Sequence, residues 1–352
     1  MVVVAKLRNT ERLSASNPAD IVRAAGILRM GGLVAFPTET VYGLGANALS
    51  AEAVSGIFAA KQRPDWDPLI VHVTDRLALT QVATTSPLAG KLMDTFWPGP
   101  LTLLLPRTPA IPDSVTAGRP LVGVRIPSHP VAQALLRMAG IPIAAPSANR
   151  FGHASPTTSA HVFADLDGRI DAVLDGGPTD VGVESTVAEV RGKEVVIYRH
   201  GAVTLQMLES VANKGEVRAY QAETTADPPE SMPSPGVGIR HYAPRARLIL
   251  VRRDFARSAA PVEHALVEAI DAQAGVTKIV GVMLPESWNS SSADVIFRWG
   301  PWHQPEVLAR RLFAGLRELD DQGCTVILCP LPTVPGIGDA IRDRLEKAAR
   351  TA

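Results

Sequence analysis

Proline closes most of the apolar runs in this chain. LVAFP, LTLLLP, GVRIP, IPIAAPS and TKIVGVMLP each hold only a few apolar residues before a proline intervenes. Proline has no N–H for a strand ladder, and its fixed φ breaks a helix interior. Runs of this kind therefore cannot fuse into long helices. They dictate a fold of many short strands, each ended by a turn. The chain has 29 prolines in 352 residues, about 8% against a usual 5%. Neither Pro nor Gly recurs at a fixed period, which excludes collagen-like and other fibrous repeats.

Helical spacing fills the gaps between these runs. NPADIVRAAGILRMGG, AEAVSGIFAAKQR, PLAGKLMDTF and HPVAQALLRMAG repeat apolar residues at helical intervals, the first stopping at Gly31-Gly32 and the second at Pro64. From Pro18 to about Met207 strands outnumber helices, so residues 1–212 are expected to form an α/β (α+β) domain around a mixed sheet. Residues 213–243 are polar and proline-rich and read as a linker. Beyond it, strand and helix alternate cleanly through ARLILVRR, PVEHALVEAIDAQAG, TKIVGVMLP, ADVIFRWG, PEVLARRLFAGLRELDDQG, TVILCPLP and GDAIRDRLEKAARTA. That order predicts a small Rossmann-like α/β domain with a parallel sheet over 244–352.

Charge narrows the function. Lys plus Arg and Asp plus Glu are both 35, so the formal net charge is zero. A protein that coats nucleic acid or an anionic membrane needs a basic excess, which is missing here. Cys324 and Cys329 are separated by an odd offset in a strand-like run, which points them to opposite faces and argues against a local disulfide. So few cysteines in a chain of this length fit a reducing, cytoplasmic compartment. No window of 18 apolar residues could span a membrane, and the N-terminus lacks the pattern of a signal peptide.

Familiar catalytic motifs are absent from the sequence: no phosphate loop of the G-x-x-x-x-G-K-[ST] type, no G-x-S-x-G elbow, no H-E-x-x-H. Gly336-Ile337-Gly338 opens a helix but lacks the third glycine and follows the last strand, so it is weak evidence for a dinucleotide. Instead, polar tracts follow short strands. Pro37-Thr38-Glu39-Thr40 runs to Tyr42 and Gly43-Leu44-Gly45, which suits either a small polar ligand or a capped turn. Lys61, Arg63, Asp67 and His72 crowd the next tract. Two cations at a broken helix end either answer the helix dipole or converge on phosphate. His72 inside an apolar strand reads first as a core histidine. Ser147, Asn149 and Ser155 follow another strand, Arg125 and Arg199 end strands, and Ser185 with Thr186 enters one. The linker closes on Ser234, Arg240, His241 and Tyr242. Together these tracts point to one site for an anionic ligand.

The ordered motifs PTETVYGLG, K-x-R-P-x-x-x-P-L-I-V-H, APSAN, ESTV, YRHG, and SPG with HYAP resemble the threonylcarbamoyl-AMP synthase family. The resemblance spans a YrdC-like catalytic domain, with its mixed twisted sheet and flanking helices, and the linker and C-terminal domain of the longer members. It implies that L-threonine, bicarbonate or CO2, and ATP give threonylcarbamoyl-AMP and pyrophosphate, for modification of tRNA by a downstream threonylcarbamoyl transferase. ATP is then a substrate with Mg2+ as its expected companion, and no protein metal site is implied. Carried across, Lys61 and Arg63 are catalytic and, with Asp67, Ser147, Asn149, Ser155, Arg199 and Ser234, bind ATP. Thr38, Thr40, His72, Arg125 and Ser185 line the threonine pocket, Arg125 taking the carboxylate. Asp67 stands where the family usually has Asn, and an acid beside a triphosphate needs a metal or a ribose hydroxyl to be tolerated. A free carbamate is short-lived, so the linker is expected to close over the site as a lid. Two rivals are a carbamoyl-phosphate-dependent carbamoyl transfer enzyme and an RNA-binding module. The first lacks its usual companion modules here. The second would rest on local contacts only, given zero net charge and just 5 Trp, 4 Tyr and 8 Phe for stacking.

Overall fold

Eleven short strands join into one mixed sheet in the N-terminal part of the chain. In this computed structural model the described residues are 9–221, 241–252, 262–273, 279–289 and 292–350. Side by side, the strands run Glu11–Ser14, Ala172–Asp175, Val34–Pro37, Tyr42–Asn47, Ile143–Ala144, Ile70–His72, Leu121–Arg125, Leu101–Pro106, Thr186–Arg191, Glu194–Arg199 and Val217–Ala219. Parallel and antiparallel neighbours alternate irregularly, as a mixed sheet requires.

Both faces of the sheet are buried, and the strand period sorts residues between them. Val34 and Phe36 belong to one apolar cluster while Ala35 belongs to the other; Ile143 and Ala144 divide in the same way. Burial on both faces explains why these strands read as continuous apolar runs rather than alternating ones. Helices Pro18–Arg29 and Pro130–Ala139 cover one face with Leu28, Leu135 and Leu136. Helices Ala51–Lys61, Pro87–Phe96 and Ser159–Leu166 cover the other with Ile57, Leu92 and Val162. Side-chain caps start each of the five: Asn17, Ser50, Ser86, His129 and Thr158 accept from backbone N–H groups.

The chain divides into two compact units. The first comprises Met1–Phe151, Pro156–Asp180 and Glu184–Gly238, and the second Gly152–Ser155, Val181–Val183 and Ile239–Ala352. This division departs from a simple cut after residue 212. Strand Val217–Ala219 lies in the span expected to be linker, yet it pairs in parallel with Glu194–Arg199. Two short segments from within residues 1–212, Gly152–Ser155 and Val181–Val183, belong to the second unit. Ser234, Arg240 and most of the expected lid lie outside the described residues.

The second unit holds a four-stranded sheet in the order Arg247–Val251, Val326–Pro330, Val280–Pro285, Val295–Gly300, all parallel. Helices Val262–Asp271, Pro305–Asp321 and Ile337–Ala348 accompany it. Tyr242, at φ 65°, is buried here, stacked 5.8 Å from Phe313 with the Arg344 guanidinium 5.2 Å from its ring. Gly182 needs its glycine: a Cβ there would meet the Arg310 Cα at 2.3 Å. Gly336 donates its N–H to Asp339, which caps the last helix with the chain's own carboxylate. Cys324 and Cys329 are both buried free thiols. No helix among the described residues is long and apolar enough to cross a membrane.

Candidate active site

The PTET tract is a tight connection between two antiparallel strands. Pro37 and Tyr42 are paired across it, leaving Thr38 to Val41 as the loop. Thr38 Oγ1 donates to the Val41 carbonyl at 2.7 Å and accepts from the backbone N–H groups of Thr40 and Val41. A hydroxyl has one proton, and Thr38 has given its own to Val41. The 2.8 Å contact between the two threonine hydroxyls is therefore donated by Thr40. Thr40 Oγ1 in turn accepts from Arg125 Nη1 at 2.9 Å. The capped-turn reading holds for Thr38, and the same turn aims Thr40 at a buried cation.

Gly43 and Gly45 have a packing reason. A Cβ at Gly45 would meet Ile143 and the Phe36 ring at 2.9 Å, and one at Gly43 would meet Ala145 at 3.2 Å. These glycines let two strands and an aromatic ring close up, a packing role beside the ligand approach expected from sequence.

Arg125 ends its strand beside His72, its register partner on the neighbouring parallel strand. Both are almost fully buried. Arg125 Nε donates to the Gly99 carbonyl at 3.2 Å, and Nη2 lies 2.6 Å from Glu39 Oε2. The N–H is not aligned with that short vector, so the contact is an ion pair rather than a formed hydrogen bond, and both Glu39 oxygens lack a hydrogen-bond donor.

Lys61 is the last residue of its helix, and Gln62 at φ 55° turns the chain out of it. Lys61 is 1% exposed. Its ammonium donates to the Ser147 carbonyl at 2.5 Å and to the Asn149 carbonyl, while its own carbonyl accepts from Phe151 N–H at 2.9 Å. Ser147 also bridges to Gly43 of the hairpin strand. The K-x-R helix end and the S-x-N loop are thus one braced unit. Arg63 bonds the Asp67 and Pro68 carbonyls and forms a buried 2.9 Å ion pair with Asp67. The two cations are expected to converge on phosphate; Lys61 is held by the Ser147–Asn149 loop and Arg63 by the Asp67–Pro68 turn.

Ser185 joins the third group. Its hydroxyl contacts Thr102 Oγ1 at 2.8 Å and accepts from Arg199 Nη2 at 3.1 Å, while Arg199 Nε donates to the Ser185 carbonyl at 3.0 Å. The charges of Lys61, Arg63 and Arg199 all act on Asp67, which ties these groups to one neighbourhood. Burial pushes the Asp67 carboxyl above its ordinary value, and the three cations only partly oppose this. Ser155 is fully buried, on a segment that belongs to the second unit. Sequence reasoning did not weigh Thr102 and did not single out Glu39. Both sit one residue from a recognised position or inside an apolar run, so neither carries a spacing signal.

His72 is held neutral. Burial, aided by the Arg125 cation, depresses its pKa to about 3, against about 6.5 for a free imidazole. Between those values the unfolded chain binds a proton that the folded chain refuses. Stability is therefore intact above pH 6.5 and falls as the pH drops below it, by about 2 kcal/mol at pH 5. Asp67 works in the opposite sense: its raised pKa favours the folded chain as pH falls toward 3.8. Comparing urea midpoints of the wild type and His72→Gln from pH 7.5 to 5 isolates the histidine. The wild type should lose stability more steeply; parallel curves would mean His72 is protonated in the fold.

Among the described residues no group of three His, Cys, Asp or Glu side chains is placed to hold a metal ion.

Comparisons with known proteins agree on one family. A family profile described as Telomere recombination (Sua5_yciO_yrdC) matches residues 26–201, and one described as Threonylcarbamoyl-AMP synthase, C-terminal domain, matches residues 203–350. A protein of Bacillus subtilis (strain 168) named threonylcarbamoyl-AMP synthase is 42% identical over 97% of this chain and 95% of its own. Its namesake from Pyrococcus abyssi is 42% identical over 93% of each chain. The crystal structure of P. abyssi Sua5 complexed with L-threonine superposes with a TM-score of 0.88 at 40% identity, over 97% of this chain and 98% of that one.

Proposed function

Because the chain belongs to the threonylcarbamoyl-AMP synthase family, we infer that it condenses L-threonine, bicarbonate or CO2, and ATP into threonylcarbamoyl-AMP and pyrophosphate. The product would be handed to a transferase that modifies tRNA. The observation that carries this reading is the buried Arg125 beside Thr40 and His72, a guanidinium held at a strand end within the sheet. Such a group suits the carboxylate of a small amino acid, and the P. abyssi relative is known as a complex with L-threonine.

Two bond changes make up the chemistry. The threonine amine forms a C–N bond to CO2 and loses a proton, giving a carbamate; from bicarbonate, a C–O bond breaks as well and water leaves. A carbamate oxygen then attacks the α-phosphorus, and the bond from that phosphorus to pyrophosphate breaks. Neither step needs a covalent nucleophile on the protein; both need alignment and charge neutralisation. In this reading Lys61, Arg63, Asp67, Ser147, Asn149, Ser155, Arg199 and Ser234 serve ATP. Thr38, Thr40, His72, Arg125 and Ser185 serve threonine. Thr38 acts through the turn it caps, and Lys61 fixes the Ser147–Asn149 carbonyls while placing a positive charge behind them. Neutral His72 offers hydrogen bonding without adding charge. Mg2+ would enter with the ATP phosphates and would supply charge neutralisation there, without a dedicated protein cage. The buried Asp67 Oδ1, which has no hydrogen-bond partner, would be an acceptor available to it or to the ribose. Two free buried thiols accord with a cytoplasmic setting.

Pyrophosphate release from ATP tests the reading. It should require both L-threonine and bicarbonate, and neither carbamoyl phosphate nor RNA should replace them. Release that proceeds without threonine would overturn the assignment.

A further inference from the structure

The Arg125 cluster contains a charge that the reaction, as described so far, does not use. Glu39 stands at the tip of the hairpin between Thr38 and Thr40, with its side chain 8% exposed. Oε2 faces Arg125 at 2.6 Å, and neither Oε1 nor Oε2 receives a hydrogen bond. A buried carboxylate oxygen without a donor is costly: Oε2 has the Arg125 charge beside it, but Oε1 has lost its waters with no donor to replace them. The surrounding polar groups do not relieve it. Thr38 has given its proton to Val41 and Thr40 has given its own to Thr38. The threonine hydroxyls are thus spent; Arg125 Nη2, itself without an aligned acceptor, faces Oε2, which leaves Oε1 as the oxygen open to a donor from outside the chain.

The amino-acid substrate carries the right donor. A zwitterion presents a carboxylate and an ammonium on one carbon, so a pocket that reads it needs a cation and an anion side by side. Arg125 and Glu39 are such a pair, held on different strands by the sheet register and the hairpin turn. We propose that Glu39 is the specificity-determining residue for the substrate's α-ammonium: its carboxylate receives the ammonium N–H groups while Arg125 receives the α-carboxylate. The pair thereby selects free α-amino acids over hydroxy acids of the same shape. Its net neutrality also matters before binding, because an isolated buried guanidinium in this sheet would be penalised heavily. This inference rests on the threonine-pocket reading of Arg125.

Isothermal titration of the full chain with L-threonine and with 3-hydroxybutyrate, which is threonine lacking its amino group, tests it. The wild type should prefer threonine by a wide margin. Glu39→Gln keeps the shape and removes the charge; it should weaken threonine by about 10- to 100-fold and leave the hydroxy acid unchanged, so the preference collapses. Glu39→Asp, which keeps the charge on a shorter stem, should retain most of the preference. ATP affinity and the melting temperature report whether each variant is folded. If Glu39→Gln weakened both ligands equally, Glu39 would only hold Arg125 in place and the proposal would fail; an unchanged preference would also overturn it. A wild type that binds neither ligand would instead remove the threonine reading beneath it.

Discussion

Lys61→Met should slow threonine- and bicarbonate-dependent pyrophosphate release by roughly 30- to 1000-fold, the equivalent of about 2–4 kcal/mol of transition-state stabilisation. Two losses combine. The ammonium charge disappears from the proposed nucleotide site, and the Ser147 and Asn149 carbonyls lose the donor that braces their loop. Methionine fills a similar volume, so the helix end at Gln62 and the Phe151 bond to the Lys61 carbonyl persist. Lys61→Arg should not restore activity. Its planar fork is larger than an ammonium and cannot occupy a position 1% exposed without moving the loop. Removing Lys61 also removes one of the cations that help Asp67 ionise, so that carboxyl should shift still higher. Steady-state turnover at saturating threonine and ATP is the measurement. A rate within about threefold of wild type would take Lys61 out of the site altogether.

Legibility in the sequence followed the physics of each element. Helices were visible because their caps and apolar spacing are local: Pro87–Phe96 and Pro130–Ala139 coincide with the segments read from spacing, each starting with a proline after a capping residue. Strands bounded by Gly or Pro were equally plain, as at Leu101–Pro106. Tyr42–Asn47 was not, because its two glycines mimic a ligand loop until Phe36 and Ile143 are seen to occupy the space beside them. Val217–Ala219 is a three-residue edge strand with one buried residue, too short to stand out from a polar linker. Among the site residues, those inside recognisable motifs were found. What the motifs could not convey is who holds whom. That Arg63 is paired with Asp67, and Arg125 with Glu39, depends on side chains meeting in space, and no spacing rule encodes it.

Arg125→Met should be the most damaging single substitution for threonine use, raising the threonine KM by about 100-fold or more while leaving the ATP requirement little changed. It should also destabilise the chain by about 3–5 kcal/mol, because it strands Glu39 as a buried charge without its cation. Pairing it with Glu39→Gln separates the two effects. The double variant buries no uncompensated charge, so most of the lost stability should return, yet threonine binding should stay poor because both halves of the zwitterion reader are gone. His72 offers an independent check in the same protein. The Arg125 cation is one of the forces that keep its imidazole unprotonated. With that cation removed, the His72 pKa should rise, but burial, the larger cause, remains, so the double variant should still lose stability between pH 7 and pH 5. Recovery of a near-normal threonine KM in the double variant, or a defect confined to ATP, would show that the carboxylate is read elsewhere.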